Sequence, residues 1–252
     1  MAKERAGARG KAEEGAAGPA RRASDRGQYG RLSRERVLAS ALELVDREGL
    51  AALSMRRLGT ELGVEAMALY RYAASKDALL DGLVEALYTE LEERLGTGPG
   101  AAAVAGVPAW RAELHRIARA TYEVCLAHPQ AVPLIATRML AVPLARRPLA
   151  VLKDHERVLT LLRRSGLDDT RTAAAFQAFT GWLLGYVFVE LRPMVDNPEE
   201  RDLAFRLGLH RMPQQELPTL RETATTLAER GGPEGLAAGV DALLDRFTGT
   251  EA

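Results

Sequence analysis

Apolar positions recur at helical spacing along almost the whole chain. Val37, Leu38, Ala41, Leu42, Leu44 and Val45 mark a first amphipathic helix, with Ser33 as its cap and Gly49 as its stop. A short second helix is expected over 54–62 and a third over about 65–72. Ser75 then caps a long fourth helix to about residue 95, with Asp77 in the first turn, where the helix dipole favours an acid. Residues 96–106, rich in Gly, Pro and Ala, read as a linker. Helical periodicity resumes over about 107–128. Pro129, Pro133, Pro143 and Pro148 cut the next stretch into short pieces, and helices follow at about 149–165, 168–191, 216–230 and 233–248. No segment alternates polar and apolar residues as a half-buried strand does, so the expected fold is all-α.

Composition narrows the possibilities. With 252 residues, 47% of them hydrophobic, the chain has material for a large core. The single cysteine, Cys125, excludes an intramolecular disulfide framework and a four-thiolate zinc site. The N-terminus lacks the apolar stretch of a secretory signal, which leads to the expectation of a cytoplasmic protein. Basic and acidic residues balance at 34 each, so any nucleic-acid surface must be local. Residues 1–30 read as a disordered basic tail. From Met1 to Arg36 there are ten Lys or Arg against five Asp or Glu, a net of +5, which suits either an arm along a phosphate backbone or a solvated tail.

Residues 172–189 form a run of 18 without a charge, containing Gly181 and Gly185 in the spacing of close-packed membrane helices. Thr172, Gln177 and Thr180 interrupt its apolarity, and the run reads as a buried helix of a soluble protein, with no membrane partner.

The stretch 55–74, MRRLGTELGVEAMALYRYAA, has helix-turn-helix spacing. Leu58 and Leu62 share one face of its first helix. Gly59 lets the second helix pass close by, and Gly63 stands where the turn needs a positive φ. Val64, Leu69 and Tyr72 supply the inner face of the second helix. Arg56, Arg57, Arg71 and Lys76 with the hydroxyls of Tyr70 and Tyr72 flank the unit, as backbone phosphates require.

At these residues the chain resembles the tetracycline-repressor (TetR) family of bacterial transcriptional regulators. Gly49-Leu50, Leu53-Ser54-Met55-Arg56-Arg57-Leu58, Leu62-Gly63-Val64, Ala68-Leu69-Tyr70-Arg71-Tyr72 and Ser75-Lys76-Asp77-Ala78-Leu79-Leu80 carry the resemblance. Trp110, Leu126-Ala127-His128-Pro129, Gly185 and Gly239-Val240-Asp241-Ala242-Leu243-Leu244 extend it more loosely into a tetracycline-repressor-like C-terminal domain. The resemblance implies a helix-turn-helix domain over 31–76, the fourth helix as connector to about 95, and a ligand-binding and dimerisation domain over 97–252. It implies a homodimer that binds a pseudo-palindromic double-stranded DNA operator and is released by a small-molecule effector.

Carried over by position, Glu65, Ala66, Met67, Ala68 and Arg71 face the major groove. Arg71 suits either guanine or a phosphate. Glu65 either accepts from cytosine or is simply the acid of a first turn. Arg56, Tyr70, Tyr72 and Lys76 are assigned to phosphates, with packing as the alternative role for Tyr72. On a helical wheel Ala174, Ala178, Gly181 and Gly185 form a small stripe, opposite the large Phe176, Phe179, Leu183 and Tyr186; this suits a helix between a partner subunit and a ligand cavity, with the central helix of a monomer as the alternative. Val240, Leu243, Leu244 and Phe247 form the second expected interface stripe. Trp110, Tyr122, Leu126, Phe179, Trp182 and Tyr186 are candidate walls of an apolar ligand cavity, with ordinary core packing as the alternative for each. The chain departs from the tetracycline repressor itself where metal-bound drug is held: Glu92 and Ile117 stand where a histidine and an amide are expected. His115, His128, His155 and His210 show no paired metal spacing. No cofactor or metal is expected, and the effector is expected to be a different, mostly apolar molecule.

Three rival readings remain at this point. One is an enzyme, for which only a Cys125–His128 pair offers chemistry; no phosphate loop, H-E-x-x-H or G-x-S-x-G is present. The others are a constitutive or architectural DNA-binding protein, and a helical interaction module without DNA binding.

Overall fold

The computed structural model describes residues 32–97, 106–191 and 199–249, and among these residues it contains helices and turns but no strand. The expected tail 1–30 and most of the expected linker lie outside the described residues. In chain order the helices are α1 (Arg34–Glu48), α2 (Met55–Leu62), α3 (Ala66–Leu69), α4 (Lys76–Thr97), α5 (Ala109–Ala127), α6 (Val132–Ala141), α7 (Leu149–Arg164), α8 (Asp169–Leu191), α9 (Leu203–Arg206), α10 (Pro218–Ala228) and α11 (Gly232–Thr248).

Local chemistry sets the boundaries of the first four. The Ser33 hydroxyl accepts from the Arg36 amide, Ser54 from Arg57, and Ser75 from Ala78, each capping the helix that follows. Gly63 ends α2 in the left-handed conformation at φ 66°. A Cβ on Gly59 would lie 2.8 Å from the Val64 carbonyl oxygen, so only glycine permits the α2–α3 approach. The third helix is shorter than its expected span of 65–72: only Ala66–Leu69 is helical, with Glu65 as an extended cap and 70–72 in turns.

Long helix α4 is buried on a broad face. Leu79, Leu83, Leu87, Leu91 and Leu95 recur every four residues, joined by Val84 and Tyr88. It packs against α1 on one side and against α5, α6 and α7 on the other. A single apolar cluster therefore runs from Val37 in α1 to Leu244 in α11. A separate small cluster of Leu207, Leu209 and Ala224, flanked by Met212 and Ala228, holds the α9–α10 segment together. The sequence pattern misses α9, whose four residues are too few to show a period.

α8 is long and apolar enough to cross a membrane by length and composition alone. Its buried positions are Thr172, Ala175, Phe179, Leu183, Val187 and Glu190, the stripe that faces α5, α7 and α11. Burial of Glu190 is supported by hydrogen bonds: its Oε1 accepts from the Gly231 amide at 2.8 Å and its Oε2 from the Tyr122 hydroxyl at 3.4 Å. The expectation of a buried helix therefore holds along this one stripe only: Trp182, Phe188 and Val189 are each more than one-third exposed in the protomer. The α8–α11 contact is made by rings lying on glycines. Trp182 covers Gly239, and Tyr186 covers Gly231 and Gly235, with the Tyr186 hydroxyl donating to the Gly232 carbonyl.

One expected interface stripe is corrected here. Val240 and Leu244 are fully buried inside the protomer against α5 and α8, so they belong to its core and not to a partner. Leu243 and Phe247 are half-buried. The α8 stripe differs. Ala174, Gly181 and Gly185 are exposed, Ala178 is half-buried, and a Cβ on Gly181 or Gly185 would meet nothing within 4 Å.

Candidate nucleic-acid interface and effector cavity

The α2–α3 unit is held rigidly from behind. Leu53, Leu58 and Leu69 are fully buried, and an ion-pair lattice braces α2 against the end of α1. Arg57 donates to both oxygens of Glu48 at 3.2 and 2.6 Å, and Arg47 reaches Glu61 at 3.1 Å. Hydrogen bonds from Arg57 and Arg47 hold the Glu48 carboxyl at about 2, well below its usual range. Arg57 is thus committed to the scaffold.

Its neighbours are not. Among the described residues Arg56, Arg71 and Lys76 have no ion-pair partner, and all three are exposed around α3. Met67 is 72% exposed at the centre of α3, and Glu65 and Tyr70 are exposed beside it. The groove-facing expectation needs correction at Ala66, which packs partly on the core where α3 passes Gly59. Ala68 is half-buried. The phosphate assignment of Tyr72 is also corrected. Its hydroxyl donates to the Leu32 carbonyl at 2.9 Å and its ring packs against the core, so it closes the start of α1 against the turn after α3.

Behind this unit, His128 and Arg138 make polar contacts with α1 and α4. The His128 ring, at the end of α5, has Nδ1 2.7 Å from Asp46 of α1 and Nε2 2.9 Å from Glu90 of α4. On α6, Arg138 reaches Asp81 at 2.5 Å and Asp77 at 3.2 Å, at the base of α4. These contacts are absent from the sequence reading, because partners 38 to 82 residues apart have no spacing signature. The imagined Cys125–His128 pair does not form. Burial pushes the Cys125 thiol up to about 12, and the His128 ring is occupied by carboxylates.

A cavity lies between α6, α7 and α8, with a volume of about 820 Å³. Ala136 of α6, Leu152, His155 and Leu159 of α7, and Phe176 and Thr180 of α8 line it. None of the six expected wall residues does. Phe179 and Tyr122 are core residues, Trp110 and Tyr186 are half-buried against the core, and Leu126 and Trp182 are more than one-third exposed elsewhere. Tyr122, Tyr186 and Trp182 instead form the α5–α8–α11 seam, with ring centroids 6.2 Å apart for Tyr122–Tyr186 and 5.5 Å for Trp182–Tyr186. The available signal was the opposite of aromatic bulk. Small residues at Ala136, Ala173 and Gly181 leave space, and polar His155, Gln177 and Thr180 interrupt apolar faces. Among the described residues no group of three or more His, Cys, Asp or Glu is arranged to hold a metal.

Comparison with known proteins agrees with this architecture. Residues 37–83 match the family of bacterial regulatory proteins of the tetR type, and residues 105–245 match the tetracyclin repressor-like C-terminal domain. The transcriptional repressor DrrR1 of Streptomyces coeruleorubidus is 34% identical over 164 residues, covering 65% of this chain and 56% of that protein. The chain therefore spans little more than half the length of that relative. The class C tetracycline repressor protein of Escherichia coli is 48% identical over 59 residues, covering 23% of this chain and 27% of that protein. A possible TetR family regulator from Streptomyces coelicolor A3(2) superimposes with a TM-score of 0.65 at 25% identity, covering 85% of this chain and 98% of that one. The ActR–actinorhodin complex of Streptomyces coelicolor shares the fold at 24% identity, with a TM-score of 0.62 over 86% of this chain and 97% of that one. With a tetR-type three-helix unit followed by a tetracyclin repressor-like domain that matches more than half of its length, this chain belongs to the TetR family of bacterial regulatory proteins.

Proposed function

We propose that the protein is a homodimeric transcriptional repressor of the cytoplasm, without catalytic activity, that binds a pseudo-palindromic operator and is released by a small-molecule effector. The observation that carries the reading is the exposed charge of Arg56, Arg71 and Lys76, without an ion-pair partner among the described residues, around α3 of the braced α2–α3 unit. Arg71 then reads a base edge or a phosphate, Arg56, Tyr70 and Lys76 hold phosphates, and Met67 meets thymine methyls. The repressor sign is supported by DrrR1. The chain divides at about residue 97 into the DNA-binding part with its connector and the effector part.

The open small stripe of α8 supports a dimer built on that helix, with Leu243 and Phe247 of α11 at its margin. The cavity supports an effector site. Helix α6 borders the cavity through Ala136 and grips the base of α4 through Arg138, two residues on. An occupant that moves α6 therefore moves α4 and the spacing of the two α3 helices. A 100-fold loss of operator affinity requires a preference of about 3 kcal/mol for the released state.

Selection from a random duplex pool at near-physiological salt tests the reading. An enriched palindrome is the expected result. Weak, salt-sensitive binding without enrichment would leave an architectural DNA-binding protein, and no binding would leave an interaction module.

A further inference from the structure

We propose that the cavity between α6, α7 and α8 takes an uncharged, largely apolar polycyclic molecule bearing a hydroxyl, and that His155 hydrogen-bonds that hydroxyl. The inference rests on reading this cavity as the effector site. His155 lines the cavity, is 6% exposed, and has its Nε2 buried with no hydrogen-bond partner. A buried nitrogen without a partner is costly, and an occupant that supplies one removes the cost. Its ring sits edge-on to Phe176, with centroids 5.1 Å apart at 72°. A half-turn of the ring about its Cβ–Cγ bond exchanges each nitrogen with a carbon, so it can turn a nitrogen toward an occupant.

Burial, reinforced by the nearby Arg147, holds the imidazole down at about 4. At neutral pH it is therefore an uncharged donor and acceptor. Gln177 and Thr180 add neutral polar groups. The two charged residues of the lining, Arg147 and Glu156, have opposite signs, and Arg147 Nε already donates to the Val142 carbonyl. An ion entering this space would lose its hydration with no net countercharge to replace it. Leu152, Leu159 and Phe176 provide the apolar body of the site, and the volume suits a molecule of several fused rings.

The test uses the purified full chain and three probes in equilibrium dialysis: anthraquinone, 2-hydroxyanthraquinone and anthraquinone-2-sulfonate, at a pH where the phenol is protonated. The hydroxyl probe is expected to bind about tenfold tighter than the parent, as one added hydrogen bond to a buried group provides, with the sulfonate weakest. His155→Leu should bring the hydroxyl and parent probes to within about twofold of each other, and His155→Gln should recover part of the difference. Ala173→Trp, which fills the cavity, should weaken all binding. No hydroxyl preference in the natural protein, a preference that survives in a folded His155→Leu, or tight sulfonate binding overturns the inference. In those cases the cavity still stands as the site if Ala173→Trp blocks the probes. Binding that Ala173→Trp leaves intact, or none by any probe, overturns the inference together with the effector-site reading.

Discussion

Asp46 Oδ2 and His128 Nδ1 lie 2.7 Å apart, so α1 of the three-helix unit is tied directly to the end of α5 in the effector part. The other ring nitrogen meets Glu90 of α4, whose second oxygen takes two hydrogen bonds from Arg94. Burial works against ionisation of Glu90, yet the hydrogen bonds from Arg94 and His128 hold its carboxyl below the usual range. Three helices thus converge on one imidazole.

Replacing that ring with His128→Leu leaves two carboxylates facing an apolar side chain. The expected cost is about 1–3 kcal/mol, measured by urea unfolding at neutral pH. His128→Gln, which keeps one donor, should recover part of the loss. Unchanged stability in His128→Leu would show that the contact is incidental to the junction.

At the proposed DNA surface, three substitutions should separate into three signatures. Arg71→Ala is expected to weaken operator binding by ~1–3 kcal/mol and to relax one base preference if it reads a base. Lys76→Ala should weaken all sequences alike and lower the salt slope by about one unit. Tyr72→Phe should leave the salt slope alone and lower stability by ~1 kcal/mol, because its hydroxyl is bonded to Leu32. Fluorescence anisotropy across a salt series, with thermal melts, reads all three. A reduced salt slope in Tyr72→Phe would restore its phosphate role.

The α8 stripe makes a clean test of assembly. A Cβ at Gly185 would meet nothing within 4 Å in the protomer, and Gly185 is not part of the cavity lining. Gly185→Leu should therefore fold normally and shift sedimentation toward the monomer mass. A dimer mass at low micromolar concentration would move the interface off this stripe.

Asp154 gives a pH signature. Burial first, then Glu92, raises its carboxyl to about 6 against the pull of Arg157, and its Oδ1 has no hydrogen-bond partner. The unfolded chain ionises near its ordinary value of about 4. Below both values the group is protonated in either state and costs nothing. As pH rises through the window, the unfolded chain gives up its proton first, so stability falls until about pH 6 and stays lowered above it. Asp154→Asn should therefore stabilise the protein at neutral pH, on the order of 1–3 kcal/mol, with the gain vanishing below about pH 4. His155 titrates with the opposite sign, its cost growing as pH falls toward about 4, so the two proteins must be compared at each pH. A gain independent of pH would assign the effect to packing.

Much of the first hundred residues was legible because its signals are local. The caps at Ser33, Ser54 and Ser75 bond amides three residues away, and Gly59 and Gly63 act on neighbours within seven. The four-residue spacing of leucines in α4 likewise declares a buried face from sequence alone. The family motif lies in this same stretch, which is why fold and expected function could be read together.

Tertiary structure decided what each buried face is buried against. Val240 and Leu244 show helical periodicity whether they meet a partner or their own protomer, and only the packing of α11 on α5 and α8 places them inside. Tyr72 carries a hydroxyl suited to phosphate, and only the distant carbonyl of Leu32 commits it elsewhere. The cavity is the clearest case, since empty space is a property of residues that fail to fill it. Ala136, Ala173 and Gly181 come from two helices and surround a volume that no single one of them encodes. A chain's period fixes which residues avoid water. Which neighbours they meet, and where they leave room, depends on contacts between segments that are distant in sequence.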